Sequence, residues 1–138
     1  MIRPTILLLE EDDNTRPIFK EYLIKIGYDV IVAVNEEDAR QRIGGGQLEF
    51  DLILIDAVRK PTDEALNIGH RLRRFAKSDQ PLAVIAAEYD EKLQGEIVRV
   101  GENDYVVYLE YGDELSGLLA ALTKPEHAEI AVKLAARE

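Results

Sequence analysis

Thr5-Ile6-Leu7-Leu8-Leu9-Glu10-Glu11-Asp12-Asp13 passes from an unbroken apolar run straight into four consecutive carboxylates. An apolar run of this length without alternation marks a strand buried on both faces, as in a parallel sheet covered by helices. The same pattern returns at Asp51-Leu52-Ile53-Leu54-Ile55-Asp56, again ending on a carboxylate. Working outward, strand-like and helix-like segments alternate five times. A helical stretch follows the first strand, with Ile18, Phe19, Tyr22, Leu23 and Ile26 on one stripe, Pro17 in its first turn and Gly27 as its stop. Asp29 to Val34 reads as a strand. Asn35 is a suitable N-cap, followed by Glu36, Glu37 and Asp38 in the first turn of a helix that ends at Gly44-Gly45-Gly46. Leu52 to Ile55 is the third strand, Ala65 to Phe75 a helix and Pro81 to Ala86 a strand. Asp90 to Val100 is expected to be a helix stopped by Gly101, Tyr105 to Val107 a short strand and Glu114 to Leu122 a closing helix.

This alternation predicts an α/β, doubly wound parallel sheet with helices on both faces. No linker divides residues 1–123, which are read as one domain. Residues 124–138 form a tail, an extra helix or a connector, in which Thr123-Lys124-Pro125-Glu126 resembles a capping box and Ile130 and Leu134 are spaced by four. The whole chain has 138 residues, within the range of one domain.

Charge narrows the function. Seventeen Lys and Arg against 27 Asp and Glu give a net charge of −10, which argues against direct contact with nucleic acid and against anionic membrane surfaces. The absence of cysteine excludes disulfides, thiolate-bound zinc and thiol catalysis. With no apolar run of membrane-spanning length and no signal-peptide pattern, the expectation is a cytoplasmic protein.

In a doubly wound sheet, ligands gather at the carboxyl ends of the central strands. Glu10, Glu11, Asp12, Asp13 and Asp56 are all placed there. Carboxylates so crowded raise one another's pKa unless a cation neutralises them, so the cluster asks for a hard divalent ion such as Mg2+. An aspartate beside Mg2+ could attack a phosphoryl group. The plainer alternative is a solvated acidic helix start. Asp12-Asp13-Asn14-Thr15 is also a near miss to the Asp-x-Asp-x-Thr signature of haloacid dehalogenase-type phosphatases, without the length or cap those enzymes need. The expectation is therefore a protein that is not an enzyme.

Over its first 123 residues the chain resembles the receiver domain of two-component response regulators. The stretches that carry the resemblance are Ile6 to Asp13 with Arg16, Asp51 to Asp56, Pro81 to Ala87, and Gly101-Glu102-Asn103-Asp104-Tyr105-Val106-Val107. The resemblance implies a flavodoxin-like (βα)5 fold with strand order 2-1-3-4-5. It implies that Asp56 accepts a phosphoryl group from a histidine kinase or phosphotransfer protein. It further implies that Mg2+ is held by Glu10, Glu11, Asp56 and the backbone carbonyl of Val58.

Several positions depart from that pattern. Glu11 stands where the family usually has Asp, and the extra methylene puts Mg2+ affinity in doubt. Ala86 replaces a Thr or Ser whose hydroxyl would bond the phosphoryl oxygen. Tyr108 replaces a Lys, and Leu109 the following cis-Pro. Tyr105 matches the family's switch aromatic, but with Ala86 as its neighbour it is read as static and partly buried. Lys60 falls where a proline is expected, and either serves as a substitute cation or stays solvated. His70 and the Arg71-Leu72-Arg73-Arg74 cluster are read as a solvated helix face. Two readings follow. One is a receiver phosphorylated on Asp56 with weak or atypical switching. The other is a pseudo-receiver that binds partners regardless of phosphate. Either would signal through protein contacts to an unidentified downstream protein, and a homodimer through the last helices stays open.

Overall fold

The structure, a computed structural model, describes residues 3–44, 49–58, 60–87, 91–108 and 115–123. Its elements in chain order are β1 (Thr5–Leu9), α1 (Thr15–Lys25), β2 (Asp29–Ala33), α2 (Glu36–Ile43), β3 (Leu52–Asp56), α3 (Thr62–Ala76), β4 (Leu82–Ile85), β5 (Ile97–Arg99), β6 (Asp104–Val107) and α4 (Leu115–Thr123). They build one six-stranded sheet in the order β2-β1-β3-β4-β6-β5. Five strands run parallel in the expected flavodoxin-like order, the fifth being β6.

The unbroken apolar runs are buried on both faces because each face has its own helices. Ile6, Leu8, Leu52, Leu54 and Tyr105 pack with Leu23 of α1 and Leu119 and Leu122 of α4. Leu7, Leu9, Ile53 and Ile55 pack with Ala39 and Ile43 of α2 and with Ala65, Ile68 and Leu72 of α3. Each fully buried Leu or Ile contributes about 1.5–3 kcal/mol relative to leaving it in water. The start of the central pair is pinned by Asp51, whose carboxylate accepts from the Thr5 N–H at 2.7 Å. Asn35 caps α2 as expected, its side-chain oxygen accepting from the Asp38 N–H at 2.8 Å. Gly27 takes φ +113°, which fits a glycine after a helix.

Three expectations are corrected. The helix expected over Asp90 to Val100 is not found in its described part, 91–100, because Ile97–Arg99 forms an antiparallel edge strand against β6. Leu93, Ile97 and Val100 are spaced as in a helix, but Gly95 sits at φ +82° in the middle of the segment, and Ile97 and Val98 are β-branched. The Tyr108 N–H extends the hairpin by donating to Glu96 at 3.0 Å. On α1 the inward stripe is Phe19, Leu23 and Ile26, whereas Ile18 is 70% exposed and Tyr22 is also exposed. His70 and Arg73 are not a free face, since both bond the buried Asp104 of β6 at 2.7 and 2.5 Å. Thr123 is the last residue of α4, its hydroxyl donating to the Leu119 carbonyl at 2.7 Å. The tail itself, 124–138, lies outside the described residues, as do Gly45, Gly46 and Leu109.

Gly69 lets α3 lie close on β4. A Cβ built there would stand 2.4 Å from both methyl carbons of Leu82, which is fully buried. Gly69→Ala is expected to lower stability by about 1–2 kcal/mol: overpacking costs about 1–3 kcal/mol, and the helix preference of Ala returns up to about 1 kcal/mol. A shift in the urea midpoint measures it, and an unchanged midpoint would show that Leu82 has room to move.

Candidate functional site

The carboxyl ends of β1 and β3 meet at one edge of the sheet, where Leu9 is in register with Ile55. This brings the sequence-predicted acids into one region, but the fold gives each a different task. Glu10 is fully buried. Its Oε2 accepts from the Asp12 N–H at 3.2 Å, while Oε1 finds no hydrogen-bond donor. Burial, together with a hydrogen bond and charge from Asp56, pushes the Glu10 carboxyl up to about 8. A proton on Glu10 turns an acceptor facing an acceptor into a hydrogen bond to Asp56. Asp12 serves the helix start, its Oδ2 accepting from the Thr15 N–H at 2.8 Å and the Thr15 hydroxyl at 2.6 Å. Arg16 fastens the loop by donating to the Glu10 carbonyl at 2.8 Å and to the Asp13 carboxylate at 2.7 Å.

Glu11 is turned outward and paired with the ammonium of Lys60. Lys60 is not solvated: its side chain is only 14% exposed. Together with Glu11, Asp12 and Val58 it lines a cleft of about 260 Å3. The Val58 segment follows β3, whose last residue, Asp56, is in register with Ile85 of β4. Ala86 comes next, its backbone N–H donating to the Val107 carbonyl at 3.0 Å, and its side chain is a methyl group without a hydroxyl. Tyr108 lies in a separate groove of about 410 Å3 between α3 and the hairpin, with Thr62, Leu66, His70, Val100 and Val106. Tyr105 is buried in the core on the opposite face.

Mg2+ does not fit this donor set as it stands. The ion demands near-octahedral oxygen ligands, yet Asp12 is engaged by Thr15 and Glu11 by Lys60. Among the described residues no three carboxylate or imidazole groups converge closely enough to hold a metal ion. The sequence reading placed Asp56 and the acids in one region and offered Lys60 as a substitute cation, but missed the Arg16 clasp. It also missed the pairing of Arg71 with Glu36, at 2.7 and 2.8 Å, which lowers the Glu36 carboxyl below its ordinary value.

Comparison with known proteins gives the family. No family model matches the chain. It is 30% identical over 101 residues to the transcriptional regulatory protein CrdR of Helicobacter pylori, covering 73% of this chain and 46% of CrdR. It is 28% identical over 103 residues to protein PetR of Rhodobacter capsulatus, covering 75% and 41%. Among solved structures, a response regulator from Thermotoga maritima matches at 25% identity and a TM-score of 0.58, over 96% of this chain and 99% of that one. The chain is a receiver domain of the response-regulator family. It spans less than half the length of the curated relatives it matches. The same receiver fold is seen in TrrA of Thermotoga maritima, solved in complex with the histidine kinase ThkA (22% identity, TM-score 0.63, 88% of this chain and 99% of that one). TrrA was also solved in complex with Mg2+-BeF (23% identity, TM-score 0.60, 86% and 98%). In this receiver domain no described helix is long and apolar enough to cross a membrane.

Proposed function

We propose that this receiver domain serves two-component signalling as a pseudo-receiver, a protein-interaction module whose contacts do not depend on phosphate at Asp56. The observation that carries this reading is the occupation of the acidic cleft by the ammonium of Lys60, which is paired with Glu11 and only 14% exposed. Two further features support it. Ala86 supplies no hydroxyl and Tyr108 no charge to a phosphoryl group, and the loss of one preorganised donor to a developing anion slows a reaction by about 10²–10³-fold. The antiparallel β5–β6 hairpin stands where a helix was expected, so the surface next to the fifth parallel strand differs from that of a phosphate-reporting receiver. The partners are a histidine kinase or phosphotransfer protein on one side and a downstream protein on the other. TrrA, captured with its kinase, is the precedent in this fold. Catalysis has no place in this reading, since Asp12, the first residue of the phosphatase-like near miss, is engaged by the backbone N–H and hydroxyl of Thr15.

One observation favours the second reading, slow phosphoryl acceptance: Asp56 keeps its place at the strand end and is partly exposed. Intact-protein mass after incubation with Mg2+ and a small-molecule phosphoryl donor separates the two. The expected result is no adduct on the wild type under conditions that label an ordinary receiver. An adduct on the wild type that Asp56→Asn lacks would return Asp56 to the mechanism and overturn the proposal.

A further inference from the structure

A lysine on a surface loop ordinarily keeps its ammonium in water, because an unpaired buried charge is costly. Lys60 does the opposite. Its side chain is 14% exposed, and the ammonium meets Glu11 inside the cleft that Glu11, Asp12 and Val58 line with it. Glu36 and Glu64 stand on the outer side of the same lysine, and its charge helps to lower the Glu36 carboxyl. At the floor of the acidic region the buried Oε1 of Glu10 has no donor. The lysine therefore sits among oxygen ligands of the kind a hard cation seeks, on both its inner and its outer side.

We propose that Lys60 is a tethered counter-cation: its ammonium holds the position beside Glu11 that a divalent ion would take, and its removal converts the cleft into a divalent-cation site. The inference rests on the reading of the cleft as one that works without Mg2+. Two cations a few ångströms apart repel strongly at the dielectric of a partly buried site, so ammonium and metal exclude each other. The tether makes the ammonium's local concentration independent of the metal in solution. Once the ammonium is gone, the Glu11 carboxylate is left without its cation in a cleft that Asp12 and Val58 also line.

The test is titration of Mn2+ into the full chain, with free Mn2+ followed by its paramagnetic resonance signal and Mg2+ as competitor. Lys60→Met is expected to bind one Mn2+ at least about tenfold more tightly than the wild type. Lys60→Arg, which keeps the charge, should remain as weak as the wild type. Adding Glu11→Gln to Lys60→Met should abolish the gain. Equal affinity in wild type and Lys60→Met, or no binding in Lys60→Met, overturns the proposal. Should Lys60→Met fail to fold, the melting temperature of the wild type decides alone: a rise with Mg2+ overturns the proposal, and indifference to Mg2+ supports it. The outcome is distinct from that for the pseudo-receiver reading. A wild type that binds Mg2+ but takes no phosphoryl group would sink the tethered cation and leave the other standing.

Discussion

Asp104→Ala is expected to lower the unfolding free energy by about 3–5 kcal/mol, the cost of breaking a buried ion pair from one side. Asp104 is 8% exposed at the first position of β6. Oδ1 accepts from Arg73 at 2.5 Å and Oδ2 meets His70 Nε2 at 2.7 Å, so one carboxylate ties the C-terminal half of α3 to the sheet. Gly101 closes over it, since a Cβ there would stand 2.5 Å from Oδ2. Without the carboxylate, Arg73 keeps only its donations to the Gln80 and Asn103 carbonyls, at 3.3 and 3.2 Å, and its charge is left without a partner. Small domains have about 5–15 kcal/mol in total, so the variant approaches the threshold of folding. Urea denaturation at neutral pH measures the loss. In an Arg73→Met background the same substitution should cost markedly less, because no orphaned charge remains. Equal costs in both backgrounds would show that Asp104 stabilises the fold by some route other than Arg73.

The second large effect is the dependence of stability on pH through Glu10. Its carboxyl rises from an ordinary 4.5 to about 8 in the folded protein, chiefly through burial and then through Asp56. The native state therefore keeps a proton that the unfolded chain has released. The stabilisation is complete below about pH 4.5 and is lost as pH rises through about 8, reaching at most about 4–5 kcal/mol at alkaline pH. Glu10→Gln should remove this slope. The amide keeps an oxygen for the Asp12 N–H and offers an N–H to Asp56 without having to hold a proton. The variant is expected to exceed the wild type by about 2–4 kcal/mol at pH 9 and to match it closely near pH 5. Thermal denaturation at the two pH values decides the matter, and parallel losses in both proteins would assign the alkaline decline to other groups.

Much of the fold could be read from local pattern because the driving force is local in kind. Runs such as Leu52 to Ile55 can be buried on both faces only in a sheet covered on both sides, and five such segments separated by helical stretches leave few topologies. The hairpin escaped that reading because Leu93, Ile97 and Val100 satisfy a helical spacing and a strand equally well over so short a span. The positive φ of Gly95 and the pairing with β6 tipped the balance, and only the second is a tertiary fact. His70 and Asp104 lie 34 residues apart, and nothing near either one announces the other.

The candidate site divides in the same way. The sequence alone determined which acids reach the carboxyl edge of the sheet, because Glu10 to Asp13 and Asp56 directly follow or end buried strands. It also determined that positions 86 and 108 carry a methyl group and a neutral phenol, since side-chain chemistry is fixed by residue type. The tertiary structure decided how the acids are neutralised. Lys60 is 49 residues from Glu11. The direction of its long, flexible side chain follows from which charges the folded loops bring within reach, because burying an ammonium is tolerable only where a carboxylate awaits it.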